Sequence, residues 1–308
     1  MKANELLYTE IVKRHLGTNL KLADSQVLLS KEDYVVVSIT TEQPSHRLIL
    51  KLAGPNAPLD APFDRTYAMN QRVRQETSVP TFEAIAYDMS SSVVPYRYLM
   101  MTQVEGRLWA EVRHDLHDDD RCGIYRQLGN AVAQLHRIEY IGFGEPGNGD
   151  ETTRAKVTDY LAALSDRARR RIRNAGHLDL FLALLQANKD VFNSIVTPRL
   201  THEDLHPGNI LVRCTHGQWE LAGILDFDSA WAGGCESDLA RLELWRGMTG
   251  PGFFEEYRQV NPISEGYPLR SSFYQLLWCL EYADPSEQHH TDTKLICDRL
   301  GIPAITFL

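Results

Sequence analysis

Residues 201–212 read THEDLHPGNILV, and two motifs that require different local structures overlap within them. His202 and His206 complete the pattern H-E-x-x-H, which binds zinc when both histidines lie on one face of a helix. Asp204 and Asn209 complete the pattern H-x-D-x-x-x-x-N, which is typical of a loop. The local structure of this stretch therefore decides which chemistry it can carry.

The residues that follow the second histidine favour the loop. Pro207 disfavours α-helical geometry at the residue before it, and Gly208 weakens a helix further. The apolar residues 210–212 then predict a strand, which pairs with a second strand over 221–225 across a turn at 215–217. A helix that carries both zinc ligands is therefore disfavoured.

A loop with this pattern can hold the two groups that phosphoryl transfer needs. The carboxylate of Asp204 can accept the proton of an attacking hydroxyl, and the amide oxygen of Asn209 can bind a magnesium ion. Asp226 ends an apolar run, where a carboxylate has no packing role, and it is the second candidate metal ligand. Because Mg²⁺ prefers a few carboxylate and amide oxygens together with substrate phosphates, we predict a site formed by Asn209, Asp226 and ATP.

Lys51 is the candidate contact to the nucleotide phosphates. It lies within the apolar strand predicted over residues 47–52, from which an ammonium group can reach the phosphates. A solvent-facing lysine on an edge strand is the alternative interpretation. The metal-site pattern farther along the chain favours the nucleotide role.

The pattern of apolar residues changes after Glu105 and Gly106 from mainly β to mainly helical. The predicted elements are a helix over 6–16, strands over 27–29, 34–39 and 47–52, a helix over 63–74, strands over 82–87 and 96–104, and helices over 124–138, 178–191 and 273–282. We predict an α+β protein, with a β-rich nucleotide-binding lobe over residues 1–104. Residues 105–308 then form a larger, helical lobe for catalysis and substrate binding.

Composition excludes several classes of protein. The 308 residues include 32 Lys and Arg against 41 Asp and Glu, a formal net charge of -9, and such a surface repels nucleic acid. The five cysteines show no Cys-x-x-Cys spacing, and no apolar run reaches the roughly 18 residues of a membrane span. The N-terminus lacks the apolar region of a signal peptide. These features predict a cytoplasmic protein that binds neither nucleic acid nor membrane.

Taken in order, four parts of the chain resemble the motifs of the aminoglycoside phosphotransferase family. They are Lys51, residues 202–209, residues 224–227 and residues 237–240. The resemblance spans residues 20 to 245 and implies a protein-kinase-like bilobal fold. It also implies that ATP or GTP binds between the lobes and passes a phosphoryl group to a hydroxyl of a small molecule.

The resemblance implies roles for individual residues of the catalytic loop. Asp204 is the catalytic base, and His202 belongs to the same loop in a structural role. Asn209 and Asp226 hold Mg²⁺. Asp238 braces the loop, although a carboxylate at this place also fits the N-terminus of a helix.

Other residues of the N-terminal part are compared with the same family pattern. Met101 and Gln103 lie just before the predicted hinge and are candidate contacts to the nucleotide, although a methionine there also fits the core. In members of that family, the helix after the corresponding lysine usually carries a glutamate that pairs with it. The corresponding position here is Thr66. Asp64, or a residue elsewhere, is then expected to pair with Lys51.

Two further signals carry little weight. Residues 142–147 match G-x-G-x-x-G, but a helix precedes them and Pro146 lies where the helix of a dinucleotide site should begin, so we interpret them as a loop between helices. Residues 167–173 contain five arginines, and this run predicts a solvated helix face.

Charge in the C-terminal part bears on the acceptor. The acids there are Glu236, Glu243, Glu255, Glu256, Glu265, Glu281 and Asp284, and the arginines are Arg241, Arg246, Arg258 and Arg270. An amine-bearing acceptor would be concentrated near such carboxylates, although solvated helix faces show the same pattern. An aminocyclitol antibiotic is therefore the predicted acceptor, with a role in antibiotic resistance. The alternatives are a metabolic kinase of the choline, ketosamine or macrolide type and a non-catalytic pseudokinase. The protein is expected to be a monomer or a homodimer.

Overall fold

The chain folds into two compact units. The computed structural model describes residues 2–17, 19–57, 61–147, 157–281 and 286–307, of which residues 2–4 are described by their backbone alone. The first unit comprises the residues up to 106 together with 222–228, and the second comprises the described residues between 107 and 221 and from 229 onward. The division into lobes at 104 and 105 stays a prediction, but 222–228 join the first unit, which the sequence pattern did not indicate.

An antiparallel five-stranded sheet forms the first unit together with two helices. Its elements are α1 (Lys2–Leu16), β1 (Leu22–Lys31), β2 (Tyr34–Thr41), β3 (Arg47–Ala53), α2 (Phe63–Glu76), β4 (Ala84–Asp88) and β5 (Arg97–Thr102). The strand order is β1-β2-β3-β5-β4. Branched apolar residues in β2 and β3 suit a pleated, half-buried surface. Val37, Ile39 and Leu50 accordingly form one buried cluster with Ile11 of α1.

The central position of β3 determines where Lys51 lies. Lys51 is in register with Val36 of β2 and with Leu99 of β5, so it has a strand on each side. Successive residues of a strand point to opposite faces, which places Lys51 on the face opposite to Leu50 and Leu52. Its relative exposure is 8%. The alternative of a solvent-facing lysine on an edge strand is therefore wrong.

Helices predominate in the second unit. Its elements are β6 (Arg107–Leu108), α3 (Trp109–Val112), α4 (Asp118–Leu135), α5 (Tyr160–Arg171), α6 (Ala175–Ala187), β7 (Arg199–Thr201), β8 (Ile210–Thr215), β9 (Gln218–Ile224), β10 (Trp231–Gly233), α7 (Glu236–Leu244), α8 (Phe253–Val260), α9 (Tyr267–Glu281) and α10 (Glu287–Leu300). The short strands form sheets of order β6-β8-β9 and β10-β7. Aromatic residues such as Phe192, Phe273 and Tyr274 fill the core among α5, α6 and α9. The last residues of β9 belong to the first unit.

These elements confirm an α+β fold with an N-terminal antiparallel sheet and a helical remainder. Residues 202–206 contain no helix, and 207–209 form a single 3₁₀ turn, so the zinc-binding helix is excluded. Across the described parts of the chain, no group of three or more His, Cys, Asp and Glu side chains is suited to hold a metal ion. None of the described helices has the length and apolar character needed to cross a membrane. Tyr282, the predicted last residue of the third C-terminal helix, lies outside the described residues.

Candidate active site

Lys51 forms two ion pairs within the first unit. Its Nζ lies 2.8 Å from Oδ1 of Asp226 and 2.9 Å from Oδ2 of Asp228. Burial disfavours the ammonium form, but the charges of Asp228 and Asp226 outweigh this effect and hold the pKa of Lys51 well above its ordinary value. The side chain is therefore a fixed positive charge beside two carboxylates.

The partner of Lys51 comes from the segment after β9 rather than from the helix that follows β3. Thr66 lies on that helix, α2, where the family pattern has a glutamate, and its Oγ1 donates a hydrogen bond to Oδ1 of Asp228 at 2.8 Å. Asp228 thus accepts from Thr66 with one oxygen and from Lys51 with the other. Burial raises the pKa of the Asp228 carboxyl above its ordinary value, and the charge of Lys51 offsets part of this rise. The acid that sequence reasoning could not assign is Asp228.

Asp226 presents a carboxylate at the end of β9. The strand end is held by the amide of Ile224, which donates to the carbonyl of Pro80 at 2.9 Å, and by Thr81 Oγ1, which donates to the carbonyl of Ile224 at 2.8 Å. Asp226 itself has φ 65°, a region that costs a residue with a side chain about 1–3 kcal/mol and that is concentrated at functional sites. Its side chain is 39% exposed, so its carboxylate is accessible to a ligand.

Met101 and Gln103 lie at the end of β5 and just after it. Met101 is buried and in register with Ile49 of β3. The amide of Gln103 donates to the carbonyl of Arg47 at 2.9 Å, and its Oε1 accepts from Ser38 Oγ at 3.2 Å. Their role as nucleotide contacts stays a prediction.

Asp204 and Asn209 are joined directly within the second unit. The Nδ2 of Asn209 donates to the carbonyl oxygen of Asp204 at 2.9 Å and to its Oδ2 at 3.2 Å. Both bonds use the amide nitrogen, so they orient the side chain and leave Oδ1 of Asn209 without a hydrogen bond among the described residues. Asp204 is 29% exposed at its side chain. The loop thus presents a carboxylate and an amide oxygen side by side.

The chemistry of these donors fits the predicted magnesium ion. Asn209 offers an oriented amide oxygen, and Asp226 offers an accessible carboxylate. A few oxygen ligands of this kind, completed by substrate phosphates and water, are what Mg²⁺ uses at phosphoryl-transfer sites. Each of these two donors is therefore chemically suited to Mg²⁺, and their joint site stays a prediction.

Asp238 braces the loop from α7. Its carboxylate accepts hydrogen bonds from the backbone amides of His202 at 2.6 Å and of Glu203 at 2.8 Å. The Nε2 of His136 lies 3.1 Å from Oδ2 of the same carboxylate. Burial opposes ionisation of Asp238, but the hydrogen bond and charge of His136 hold the pKa of Asp238 below its ordinary value. Burial likewise opposes protonation of His136, yet its buried partners, among them Tyr257, hold the pKa of His136 well above its ordinary value. This arrangement favours the bracing interpretation of Asp238 over a helix-terminal carboxylate.

His202 is a positioning residue in this geometry. It is fully buried, and its Nδ1 accepts a hydrogen bond from the backbone amide of Asp204 at 3.2 Å. The imidazole ring therefore holds the backbone of Asp204 in place through this hydrogen bond. This placement agrees with the structural role that the resemblance implies.

Glu203 is a site residue that sequence reasoning missed. It has φ 62° and is 1% exposed, so a charged side chain occupies a strained backbone position inside the protein. Arg167 Nη1 lies 2.6 Å from its Oε2, and Ser237 Oγ donates to its Oε1. The predicted solvated face over residues 167–173 is thus wrong for Arg167, which is buried between the rings of Trp231 and Trp278.

Arg241 contacts the candidate base and was also missed. Its Nη2 donates to Oδ1 of Asp204, and its Nη1 donates to the carbonyl of Glu203 at 3.0 Å. The guanidinium carbon lies 3.2 Å from the ring centroid of Trp278. A signal for Arg241 was present, because a residue three positions after Asp238 lies on the same helix face.

Comparison with known proteins agrees with this fold. A family model described as "Phosphotransferase enzyme family", abbreviated APH, matches residues 28–268. The fold and this match together define a phosphotransferase. The chain belongs to the phosphotransferase enzyme family.

Individual relatives are more distant. A segment of 81 residues is 36% identical to the protein named "Probable ketoamine kinase" of Pasteurella multocida (strain Pm70), and it covers 25% of this chain and 28% of that protein. Among solved structures, a thermostable mutant of aminoglycoside phosphotransferase APH(4)-Ia in ternary complex with ADP and hygromycin B is 14% identical. It has a TM-score of 0.63 and covers 94% of this chain and 95% of that one. The streptomycin–ATP complex of APH(2'')-IIa is 13% identical, with a TM-score of 0.59 and coverage of 97% and 98%. At these identities the structures share the fold.

Proposed function

We propose that this protein transfers the γ-phosphoryl group of ATP or GTP to a hydroxyl of a small molecule. The observation that carries the proposal is the bonding of Asn209 to Asp204, with bonds of 2.9 and 3.2 Å. It holds a candidate base and a candidate metal ligand in one loop, as phosphoryl transfer requires. A protein that only bound nucleotide would not need the carboxylate of Asp204 to be held accessible.

Each residue of the site has a specific task in this proposal. Asp204 orients the acceptor hydroxyl and accepts its proton, while Lys51 contacts the phosphates of the nucleotide. Asn209 and Asp226 would hold Mg²⁺, which when bound neutralises charge on the phosphates. Asp228 holds Lys51 in place through the 2.9 Å ion pair. Met101 and Gln103 are proposed contacts to the nucleotide.

Two acceptor classes are candidates from the comparisons. An aminocyclitol is supported by the shared fold with proteins that bind hygromycin B and streptomycin. A ketosamine is supported by the segment similar to the ketoamine kinase. Both are amine-bearing compounds, as the sequence predicts.

Three of the acids behind the prediction of a cationic acceptor already contact other side chains of the protein. Arg270 Nε lies 2.6 Å from Oε2 of Glu236. Glu243 accepts from the hydroxyl of Tyr267, and Glu281 is buried beside Arg167. Asp284 lies outside the described residues. These contacts weaken the charge argument for an amine-bearing acceptor.

The proposal is tested by transfer of labelled phosphate. The protein is incubated with Mg²⁺ and ATP or GTP labelled at the γ-position, together with a panel of aminocyclitols, ketosamines, sugars and hydroxy acids. We expect label to appear on at least one hydroxyl compound and to disappear when EDTA removes Mg²⁺. If the protein binds nucleotide but neither transfers its phosphate nor slowly hydrolyses it, it is instead a pseudokinase.

A further inference from the structure

A cavity of about 340 Å³ lies within the second unit, beside the candidate base. Its lining includes Arg241 and Trp245 of the α7 region and Trp278 of α9. Arg241 donates to Oδ1 of Asp204, and the ring of Trp245 lies 5.8 Å from that of His206 in the same loop. A molecule in this cavity would therefore contact two residues, Arg241 and Trp245, that themselves contact the loop of the candidate base.

The charged side chains that line the cavity are mainly basic. Arg113, Arg241 and Arg246 carry three positive charges, and Asp292 carries the one carboxylate among the described residues of the lining. Asp292 is paired with Arg246, at 2.9 Å from its Nη2. Arg241 is paired with Asp204. The local charge is thus opposite to the acidic character of the whole chain.

Arg113 has a charge that no carboxylate neutralises in the described parts of the chain. Its Nη1 donates to the carbonyl of Arg246 at 2.8 Å, and its Nε lies 3.1 Å from Nε2 of His114. Guanidinium groups in such positions bind carboxylates and phosphates well, because their planar donors match the oxygens.

We infer that the acceptor is a hydroxyl compound that also carries an anionic group, a carboxylate or a phosphate, bound by Arg113 in this cavity. The flat faces of Trp245 and Trp278 supply apolar contact to the rest of the molecule. An amine-bearing acceptor would instead place its positive charge beside the guanidinium group of Arg113, which no described carboxylate neutralises.

This inference rests on the proposed function, because it names the acceptor of the same reaction. The acceptor hydroxyl oxygen forms a bond to the γ-phosphorus and gives its proton to Asp204. The bond from the γ-phosphorus to the bridging oxygen breaks, and ADP or GDP leaves with that electron pair. No further reactant is needed.

The test uses four hexoses that differ in charge: glucose, glucuronate, glucose 6-phosphate and glucosamine. Their binding to the whole protein is measured by saturation-transfer NMR at low and high salt. We expect glucuronate or glucose 6-phosphate to bind more tightly than glucose, and glucosamine to bind most weakly. Comparison of the two acidic hexoses shows whether the anionic group is a carboxylate or a phosphate.

Variants connect the binding to the cavity. Arg113→Gln should weaken binding of the acidic hexose about 10–100-fold, the range for loss of hydrogen bonds to a charged group. Arg113→Lys keeps the charge and should lose less. Arg213→Gln is the matched control, because Arg213 forms an exposed ion pair with Glu220 outside the cavity lining. It should bind the acidic hexose as the wild type does.

Three results would overturn the inference: equal or tighter binding of glucosamine, no binding of either acidic hexose, or binding that is unchanged in Arg113→Gln. Nucleotide binding and phosphoryl transfer, measured on the same samples, separate this failure from failure of the proposed function. If nucleotide binds and label is transferred to amine-bearing or neutral compounds alone, the acceptor class is wrong and the kinase proposal holds. If no nucleotide binds, the proposed function is wrong, whatever the hexoses do.

Discussion

The Oδ2 of Asp228 lies 2.9 Å from the Nζ of Lys51, across 177 positions of the sequence. This ion pair replaces the glutamate that the family pattern places on the helix after the lysine. Thr66, which occupies that helix position, contacts the same carboxylate from the other side. The lysine is therefore oriented from the end of β9, where the candidate metal ligand Asp226 also lies.

The first prediction concerns this exchange of partners. Asp228→Asn should lower kcat/KM for the nucleotide about 10–100-fold, because a charge-assisted hydrogen bond is lost. Adding Thr66→Glu should restore much of the loss, since the shorter threonine already lies 2.8 Å from Oδ1 of residue 228. Thr66→Gln has the same length without the charge and should not restore it. Steady-state kinetics with varied nucleotide decide the matter, and equal rescue by Glu and Gln would contradict it.

The second prediction concerns the buried ion pair beneath the loop. Arg167→Met leaves the buried Glu203 without its 2.6 Å partner and should lower the free energy of unfolding by about 3–5 kcal/mol. Arg169→Met, an exposed member of the same run, is the control and should change it by less than about 0.5 kcal/mol. Urea unfolding measures both. Similar values for the two variants would show that Arg167 is solvated in solution.

The third prediction concerns pH. The pKa of Asp238 lies below its ordinary 3.8, so its contribution to stability is present above pH 3.8 and is lost as the pH falls through the folded value. The pKa of His136 lies above its ordinary 6.5, so its contribution is present below pH 6.5 and is lost as the pH rises through the folded value. The stability deficit of Asp238→Asn should therefore be largest between pH 3.8 and 6.5.

Urea unfolding of wild type and Asp238→Asn at a series of pH values measures this deficit. A deficit that is the same at every pH would mean that the carboxylate of Asp238 acts only as a neutral hydrogen-bond acceptor. His136→Gln removes the titrating partner and should flatten the dependence on the alkaline side.

The fourth prediction distinguishes the two metal ligands. Asp226→Ala should reduce magnesium-dependent nucleotide binding more than Asn209→Ala, because a carboxylate brings a full charge to the metal and an amide only a dipole. Calorimetric titration of nucleotide with Mg²⁺ and with EDTA measures the difference. Wild-type affinity of Asp226→Ala in the presence of Mg²⁺ would rule out its role as a ligand.

Much of the fold could be predicted because it depends on short-range patterns. The alternating apolar residues of β2 and β3 indicate strands, and Pro207 disfavours the zinc-binding helix. These signals need no knowledge of distant contacts. The α+β class and the kinase character followed from them and from the order of the motifs.

The missed parts of the site depend on contacts between distant residues. Arg167 looks the same in the sequence as the exposed Arg169, and only burial against Trp231 and Trp278 separates them. Asp228 could not be assigned to Lys51 because the pattern of the family points to α2. The acids of the C-terminal part were treated as one region of negative charge, although Glu236 and Glu281 each form an ion pair with an arginine.

The most direct test of the central claim is the turnover of Asp204→Asn with Mg²⁺, nucleotide and the acceptor found by labelling. The substitution keeps the shape of the side chain but removes the base, so turnover should fall about 10²–10⁴-fold while the nucleotide dissociation constant stays near that of the wild type. Asp179→Asn, an exposed carboxylate on α6, is the control and should turn over normally. Wild-type turnover by Asp204→Asn would show that Asp204 is not the base and would contradict the proposed mechanism.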